Sequence, residues 1–352
     1  MLFSFNNNTT GKIGISFHDG GVTIGQCSWK NGGYSNPNIL RVEKNPRDFT
    51  PDDWRSLMCE TSTTGSDCVL SLPTSIARHQ VLRLPNMSDS ELKEAASWEM
   101  ADRLGVERSI LQIDAIPVGT GGDVLAVAIE QTVLSGLLDP LYAAGLRPTT
   151  IEPECISTAR TFSMLHRRHS DQSVVRSVLD FGTNDSCFMV LAGDHLMFYK
   201  HFEHSGKMLV SAIESQTGVT SQQAIKMLDN SRFGVSSDDF SKVVRDATRS
   251  THEAIATDVM KCMRHYGVTN RGPLSSYTII TGSSGWNQHL ANILSNACNQ
   301  EVVADYESKH IKELSSEVTK VNGWHLSLGA SLSNINTQKQ RRGSDHSMGE
   351  AA

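Results

Sequence analysis

The chain has 352 residues, more than a single hydrophobic core normally organises, so its length predicts two domains. Hydrophobic residues make up 38% of the sequence and aromatic residues 6%, which is enough for a core. The formal net charge of -6 gives no general attraction to nucleic acid or to anionic lipid, so neither is an expected partner.

The sequence also argues against a membrane-spanning or secreted chain. No apolar run approaches the roughly 18 residues needed to span a bilayer. The opening, MLFSFNNNTTGK, lacks the basic and apolar regions of a secretory signal, so we expect a cytosolic protein. The seven cysteines are scattered, odd in number and never spaced as CxxC, which predicts buried, reduced thiols and neither a disulfide framework nor a zinc site.

One local pattern occurs twice: an apolar run, a short turn of small polar residues, and a second apolar run. The copies are KIGISFHDGGVTIGQC at 12–27 and SVLDFGTNDSCFMVLAG at 177–193. Ile, Val, Leu and Phe favour strands, and Gly with Asp, Asn or Ser favours the tight turn of a β-hairpin. Glycine-rich tips let backbone N–H groups approach phosphate oxygens, so two opposed tips could clamp a nucleotide. At each copy, a turn that simply connects strands is the alternative.

Between the copies, the sequence predicts a first α/β region and then a compact insertion. A helix is expected at 51–60, after a proline-marked start, and a buried strand at 69–73. A second helix runs from Ser88 to Gly105, because Ser88 and Glu91 have capping-box spacing and apolar residues then recur on one face.

The remaining elements alternate between sheet and helix. Apolar segments at 111–119 and 123–130 are joined by an ordinary hairpin loop, and a helix follows at 131–144. A helix is expected at 154–169, before the second copy, and a mainly helical stretch after it. Sheet then returns at 278–281 and leads into a glycine-containing turn and a further helix.

The order of these parts resembles the actin-like nucleotide-binding fold, and within it the PilM family of type IV pilus assembly proteins, relatives of the division protein FtsA. The residues that carry the resemblance are IGISFHDGGVTIG (13–25), VLSLPTSIARHQVLRLPNMSDSELKEAASWEM (69–100), AGLRPTTIEPECISTAR (144–160), LDFGTNDSCFMVL (179–191), ITGSSG (280–285) and WHLSLGASL (324–332). The second of these is the most specific. It is similar to the small subdomain that PilM and FtsA carry where actin has a different insertion.

The resemblance implies an α/β fold of the actin-like, duplicated ribonuclease H-like type, with two domains and an inserted subdomain of the FtsA and PilM kind. The first domain is expected at 1–172, with the insertion at about 73–149. The second is expected at 173–332, with a mainly helical subdomain at about 206–270. The tail at 333–352 is polar and almost free of large apolar residues, so we expect it to be disordered.

The resemblance also implies a partner and a location. Proteins similar to PilM work on the cytoplasmic face of the bacterial inner membrane and hold the short cytosolic N-terminal tail of a membrane-anchored, PilN-like pilus assembly protein. A cytoplasmic scaffold is therefore implied, peripheral to the inner membrane through its partner, for a type IV pilus or a related pilus or secretion system. An extended tail could bind in a groove or at a sheet edge between the first domain and its insertion. Trp98, on the predicted helix of the insertion, could contact a partner or pack in the core.

ATP and Mg²⁺ are the ligands that the resemblance implies. The nucleotide-binding positions that it implies are Ser16, His18, Asp19, Gly20 and Gly21 in the first hairpin, Asp180, Gly182, Thr183 and Asn184 in the second, and Gly282, Ser283 and Gly285 in the adenosine turn. Asp180 is the candidate metal ligand, because Mg²⁺ prefers oxygen ligands and commonly binds through one or two carboxylates. A turn residue that caps backbone N–H groups is the alternative for Asp180. Glu152 and Glu154 are expected on the helix that links the two halves, with Glu154 as the candidate catalytic carboxylate.

Departures from the family pattern weaken nucleotide binding at two places. Where the family has an acidic residue followed by isoleucine and glycine, this chain has Ser16, Phe17 and His18, so a carboxylate is lost and an imidazole occupies the tip. The glycine pair of the adenosine turn is interrupted by Ser283 and Ser284. The chain also has no Walker lysine motif and no arginine in an evident finger role. The sequence therefore favours a pseudo-ATPase scaffold. An active actin-like ATPase and a nucleotide-dependent filament, with oligomerisation, are the alternatives.

Overall fold

The structure of the chain is a computed structural model. It describes residues 9–18, 20–30, 33–85, 87–119, 121–164, 174–232, 238–270, 273–284, 287–305, 314 and 316–333. The chain forms two compact units, of which unit 1 takes its residues from 1–117, 122–165 and 312–352, and unit 2 from 118–121 and 166–311. Among the residues described, no helix is both long enough and apolar enough to cross a bilayer.

Strands and helices alternate along the chain. The strands in the described ranges are β1 (Thr9–Thr10), β2 (Ile13–His18), β3 (Gly21–Lys30), β4 (Gly33–Val42), β5 (Asp67–Leu72), β6 (Arg78–Arg83), β7 (Leu111–Val118), β8 (Asp123–Glu130), β9 (Arg147–Pro153), β10 (Val175–Phe181), β11 (Ser186–Ala192), β12 (His195–Phe202), β13 (Tyr277–Thr281) and β14 (Glu301–Ala304). The helices there are α1 (Pro51–Glu60), α2 (Asp89–Leu104), α3 (Gln131–Ala143), α4 (Glu154–Ser163), α5 (Gly206–Thr217), α6 (Ser221–Arg232), α7 (Asp238–Asn270), α8 (Gln288–Cys298), α9 (Ser316–Thr319) and α10 (Trp324–Ser331), with short 3₁₀ turns at Pro46–Asp48 and Arg108–Ile110.

The main sheet of unit 1 has the strand order β1-β3-β2-β5-β9, with β4 also paired to β3. β2 and β3 form an antiparallel hairpin, as the sequence predicts, and β2, β5 and β9 run parallel. β9, at the end of this order, was not predicted. Its sequence, RPTTIEP, has two prolines and little apolar content, a pattern that a strand tolerates only where one side needs no partner.

The two faces of this sheet are covered differently. Side chains alternate between faces along β2, so Ile15 and Phe17 join an apolar core with Trp54. The opposite face of β2 is covered by α10, which also packs on α4. A Cβ built on Gly14 would lie 1.8 Å from the carbonyl oxygen of Ser327, so only glycine lets α10 lie directly on this strand.

Helix α10 packs in unit 1, whereas the sequence assigned all of 173–332 to the second domain. Every residue of α10, from Trp324 to Ser331, is buried. A helix that is buried all round has no polar face to orient it. Nothing in its own sequence therefore indicates which unit covers it.

The insertion in unit 1 is a three-stranded sheet in the order β6-β8-β7, covered on one face by α2. The capping box predicted for α2 is confirmed: Glu91 Oε2 accepts from the Ser88 backbone N–H at 2.9 Å and from the Ser88 hydroxyl at 2.7 Å. Helix α3, which the sequence assigned to the insertion, instead supplies Leu137 and Leu141 to the core of the main sheet.

Unit 2 is built on a five-stranded sheet in the order β12-β11-β10-β13-β14. β10 and β11 form the second predicted hairpin, which is confirmed, and β10, β13 and β14 run parallel. Helices α7 and α8 pack on this sheet through residues such as Ile255, Val259 and Leu290. The predicted helices after the second hairpin are α5, α6 and α7.

All seven cysteines lie among the described residues, and none of them is in a disulfide. Cys27, Cys68, Cys155 and Cys262 are buried, and burial raises the pKa of Cys27 and Cys68 to about 12. Cys59 is exposed on α1, so the prediction of buried thiols is wrong there.

Two histidines, His252 on α7 and the partly buried His289 on α8, lie against each other in unit 2. His252 is fully buried, and neither of its ring nitrogens has a hydrogen-bond partner among the described residues. Its ring centroid lies 5.8 Å from that of His289. Burial, and secondarily His289, lower the pKa of His252 to about 3. The native chain therefore keeps this imidazole neutral.

We expect unit 2 to lose stability in acid because of His252. The pKa in the folded chain lies below the value of about 6.5 expected after unfolding, so protons bind preferentially to the unfolded state as the pH falls from about 6.5 towards 3. At pH 5 the loss is about 2 kcal/mol. The measurement is the free energy of unfolding in urea at pH 7.5 and pH 5, with His252→Leu expected to flatten the difference by about that amount. An equal pH dependence in both proteins would contradict this assignment.

Candidate functional site

The tip of the first hairpin is a two-residue turn. His18, the last residue of β2, pairs with Gly21, the first of β3. Gly20 has φ +79°, the left-handed region that such turns require, and a Cβ built on it meets no atom within 4 Å. Asp19 lies outside the described residues. The tip is thus open at Gly20.

The His18 imidazole folds back over the hairpin. Its Nε2 lies 3.3 Å from Thr23 Oγ1, and its Cε1 lies 2.5 Å from the position that a Cβ on Gly21 would take. A side chain at position 21 would also meet the Val42 carbonyl oxygen at 2.4 Å, so this position requires glycine. The imidazole therefore covers part of the surface that the resemblance assigns to a phosphate.

A cavity of about 580 Å³ opens beside this tip within unit 1. Its lining includes His18, Gly20, Asn45 and Arg47. These residues provide a cation and hydrogen-bonding side chains next to the hairpin, which is the chemistry that a phosphate group prefers.

Ser16 lies below the tip, in a polar row that crosses the sheet. It pairs with Thr23 on β3 and Ser71 on β5, and Ser71 pairs in turn with Glu152 on β9. Ser16 and Ser71 are fully buried, and neither hydroxyl has a partner among the described residues. By alternation along β2, Ser16 shares the face of Gly14, which is the face that α10 covers.

Glu152 lies on β9 and not on the linking helix, so that prediction is wrong. The helix begins only after Pro153, which is its N-cap residue. The Glu152 carboxylate binds Arg160 on α4 through both oxygens, at 2.6 and 2.8 Å, and accepts from the Ser157 hydroxyl at 2.6 Å. Arg160 also donates to the carbonyl oxygen of Gly329 on α10 at 3.0 Å. This buried ion pair joins β9, α4 and α10.

Glu154, the candidate catalytic carboxylate, is the first residue of α4 and is partly buried. It follows Glu152 by two residues, so one carboxylate lies near the end of the strand and the other begins the helix. A carboxylate in the first turn of a helix interacts favourably with the helix dipole, which gives Glu154 a structural role at this position.

The tip of the second hairpin, in unit 2, lies against the start of α5. The Gly182 N–H donates to the Asp185 carbonyl oxygen at 2.9 Å, which closes the turn. The carbonyl oxygens of Gly182 and Thr183 accept from the backbone N–H groups of Gly206 and Lys207, both at 2.9 Å. The tip is therefore fixed from one side by the first turn of a helix.

The predicted adenosine turn lies beside this second hairpin. The hydroxyls of Thr183 and Ser283 are 2.8 Å apart. Gly282 has φ +100°, and a Cβ on it would lie 2.5 Å from the Phe181 carbonyl oxygen and 2.6 Å from Asp180 Oδ1. Within unit 2, the structure thus brings together Asp180, the hairpin tip and the turn.

Two further positions predicted to bind nucleotide belong to unit 2. Asn184 is partly buried, and its Oδ1 has no partner among the described residues. Gly285 lies outside those residues.

Asp305 is a carboxylate that sequence reasoning missed. It follows β14 directly, is 3% exposed, and accepts from the Thr281 hydroxyl at 2.7 Å. Thr281 pairs with Asp180 on β10, so two carboxylates flank it where parallel strands end. The available signal was an acidic residue immediately after the apolar run VVA. In the part of the chain that the structure describes, no group of three or more His, Cys, Asp or Glu side chains is arranged to hold a metal.

An apolar groove lies between the insertion and the main sheet, entirely within unit 1. β7 is the last strand of the small sheet and β9 the last of the main sheet, and both line a cavity of about 310 Å³. Its apolar lining includes Leu72, Ile116, Leu125, Leu134, Ile151 and Ile156. Ile116 and Ile151 are 37% and 38% exposed, which is high for isoleucine in a strand.

No protein-family model matches the chain, and no curated protein matches its sequence. Solved structures do match it. A chain of a PilM-PilN type IV pilus biogenesis complex is 18% identical over 92% of this chain and 98% of its own length, with a TM-score of 0.67. The ethanolamine utilization protein EutJ from Carboxydothermus hydrogenoformans is 12% identical over 92% of this chain and 89% of its own, with a TM-score of 0.52.

The chain has the actin-like fold. In this actin-like fold, each unit has a mixed sheet that contains one of the two predicted hairpins. Unit 1 adds the small sheet of β6, β7 and β8 with α2, and unit 2 adds the helices α5 to α7. The fold class inferred from the sequence is confirmed.

Proposed function

We propose that this chain is a cytoplasmic assembly protein for a type IV pilus or a related pilus or secretion system, and that it captures the short cytosolic tail of a PilN-like membrane protein. The observation that carries the proposal is the apolar groove between β7 and β9. The proposal is also supported by the similarity in fold, over 92% of this chain, to a chain of a PilM-PilN complex.

The groove suits an extended peptide because it is bordered by two sheet edges. In the described residues, β7 pairs with β8 alone and β9 with β5 alone. Each strand can therefore offer backbone N–H and C=O groups to an added strand, which is the mode of recognition called β-augmentation. Backbone hydrogen bonds give such a complex affinity without reading the sequence.

Specificity would come from the lining of the groove. Ile116 on β7 and Ile151 on β9 are exposed enough to contact a bound peptide, and most of the other lining residues of the groove are apolar. An extended segment points alternate side chains to one face, so the groove selects a tail with apolar residues at alternate positions. Asp114 and Thr150 provide polar groups at the border.

Membrane association would be indirect in this proposal. The tail of the partner would hold the chain at the inner face of the inner membrane, so the chain itself needs no span. The complex would be a cytoplasmic platform on which other assembly components could act.

A weakened nucleotide site is the second part of the proposal. The groups in unit 2 fit a nucleotide, because Asp180, the Gly182–Thr183 tip and the turn at Gly282 lie together. The first hairpin fits it less well, since the His18 imidazole covers Gly21. We therefore assign the chain a scaffold role without phosphoryl transfer.

The variant His18→Gly is expected to bind ATP at least about tenfold more tightly than the natural chain, because removal of the imidazole uncovers the hairpin backbone. Titration calorimetry with and without Mg²⁺ measures this. His195→Gly, at an exposed histidine in unit 2, is the matched control and should leave ATP binding unchanged. If the natural chain binds ATP tightly and in a Mg²⁺-dependent way, and His18→Gly does not increase that affinity, the proposal of a weakened site is wrong.

The experiment that tests the main proposal is direct binding of the partner's tail. A fluorescent peptide with the cytosolic residues of a PilN-like protein from the same genome would be titrated with the intact chain and followed by anisotropy. Saturable binding at micromolar concentration, absent for a scrambled peptide, is the expected result. No binding by a chain whose circular dichroism shows it to be folded would reject the proposal.

A further inference from the structure

The outer face of α2 carries an exposed tryptophan that the groove does not use. Leu92, Ala96 and Met100 point into the core of the insertion. Trp98 lies away from that core and is 60% exposed. A large exposed aromatic side chain is costly in water and typical of interaction surfaces, where tryptophan is enriched among the residues that dominate binding.

The indole ring of Trp98 is held in place by a cation on one side. The Arg108 guanidinium carbon lies 4.8 Å from the ring centroid, within the range of a cation–π interaction. Arg108 Nη1 is also 3.9 Å from Glu94 Oε1, one turn before Trp98 on α2. The ring is therefore oriented before any partner arrives, which lowers the entropic cost of binding.

Acidic residues lie on the same side of α2 as this ring, and Arg108 offsets the charge of one of them, Glu94. Glu91, Glu94 and Asp102 precede or follow Trp98 by seven, four and four residues, so they share its side of the helix, and all three are exposed. The two basic residues of α2 are engaged by other acids, since Lys93 binds Asp114 and Arg103 binds Glu99. We call the surface of Glu91, Glu94, Trp98 and Asp102 the acidic tryptophan face.

The acidic tryptophan face is continuous with the border of the groove. Arg108 belongs to the 3₁₀ turn that leads directly into β7, and Ile110, at its end, is 43% exposed. Asp114 on β7 lines the groove and binds Lys93 of α2 at 2.8 Å. A peptide that leaves the groove over β7 therefore meets this face within unit 1.

We propose that the acidic tryptophan face binds lysine and arginine residues of the same partner tail whose apolar segment occupies the groove. This inference rests on the proposed function. Cytosolic segments next to a membrane span carry an excess of lysine and arginine, so a membrane-anchored partner brings such residues with its tail. Their charges complement Glu91, Glu94 and Asp102, and their alkyl stems or guanidinium planes pack on the open side of the Trp98 ring.

The test uses two peptides from the PilN-like tail: the natural sequence with its basic residues, and a neutral version in which every lysine and arginine is glutamine. Trp98→Ala should lower the affinity for the natural peptide about tenfold, as measured by fluorescence anisotropy, and leave the affinity for the neutral peptide unchanged. The double variant Glu94→Gln, Asp102→Asn should remove most of the salt dependence of the natural peptide. Tyr142→Ala, at an exposed aromatic residue on α3, is the matched control and should change neither.

Several results would overturn the inference. One is that the natural chain binds both peptides with equal affinity. Another is that Trp98→Ala lowers the affinity for both peptides by the same factor. If Trp98→Ala changes the sedimentation of the chain alone, the face binds a second copy of the chain. If a peptide of residues 334–352 binds more tightly than the natural PilN-like peptide, the face binds that segment of the chain. The proposed function fails separately, if Ile151→Arg in the groove leaves the neutral peptide bound as before.

Discussion

The variant Ile151→Arg is expected to weaken binding of the partner tail by about one hundredfold or more. Ile151 lies on β9 and lines the apolar groove, whose acidic residues Asp114 and Glu152 are already bound to Lys93 and Arg160. A bound peptide would therefore bury a guanidinium there without a free partner. The desolvation of an unpaired charge costs several kcal/mol, and about 2.7 kcal/mol already accounts for a hundredfold loss. Anisotropy titration of the labelled tail measures this directly.

The controls for this result separate the groove from general changes of surface charge. Ile116→Arg, on the facing strand β7, should weaken binding to a similar degree. Tyr142→Arg adds the same charge at an exposed position outside the groove and should have little effect. Wild-type affinity in both isoleucine variants would place the peptide elsewhere on the chain.

The variant Arg160→Leu is expected to lower the free energy of unfolding by about 3 to 5 kcal/mol, because it leaves a buried carboxylate without its cation. The side chains of Arg160 and Glu152 are only 13% and 7% exposed, and the two bonds between them are 2.6 and 2.8 Å long. Arg160 also donates to the Gly329 carbonyl oxygen, so the variant loses a contact to α10 as well. Urea unfolding followed by circular dichroism gives the magnitude.

Two comparisons make this stability prediction specific. Arg147→Leu removes a guanidinium from an exposed pair with Asp67 and should cost less than about 1 kcal/mol. The double variant Glu152→Leu, Arg160→Leu removes both charges and should regain much of the loss, since no buried charge is left unpaired. A loss in Arg160→Leu no larger than in Arg147→Leu would contradict a structural role for the buried pair.

The elements that the sequence predicted correctly are those with a local cause. The two hairpins follow from strand-forming residues on either side of short glycine-containing turns, and the φ of +79° at Gly20 shows the need for glycine at the first tip. Helix α2 begins at a capping box and ends at Gly105, with φ +66°, where the sequence placed both limits. Each signal lies within a few residues of the feature that it specifies.

The features that the sequence missed have distant causes. β9 becomes a strand because β5 offers it a parallel ladder, although its prolines argue against sheet. Glu152 therefore lies near the end of a strand, and its role is decided by Arg160, eight residues away, which also contacts Gly329 of α10, 169 residues further along the chain. Asp305 belongs with Asp180 only because β10, β13 and β14 are neighbours in one sheet.

The candidate groove also combines a feature that the sequence predicted with residues that it did not identify. The sequence predicted a peptide site between the first domain and its insertion, but none of its apolar lining residues was identifiable, because Ile116 and Ile151 have no local distinction from core isoleucines. Trp98 was identifiable as a candidate contact, and its 60% exposure decided between a surface and a core role.

The sequence by itself determined the two hairpins and the capped helix of the insertion, since turn chemistry and capping act over one or two turns of chain, and its resemblance to a known family indicated the actin-like order of elements. The tertiary structure alone decided which strands have free edges, which carboxylates are paired and which unit covers α10. These depend on contacts between residues far apart in sequence, and the burial that drives such contacts is non-directional, so it leaves no local pattern.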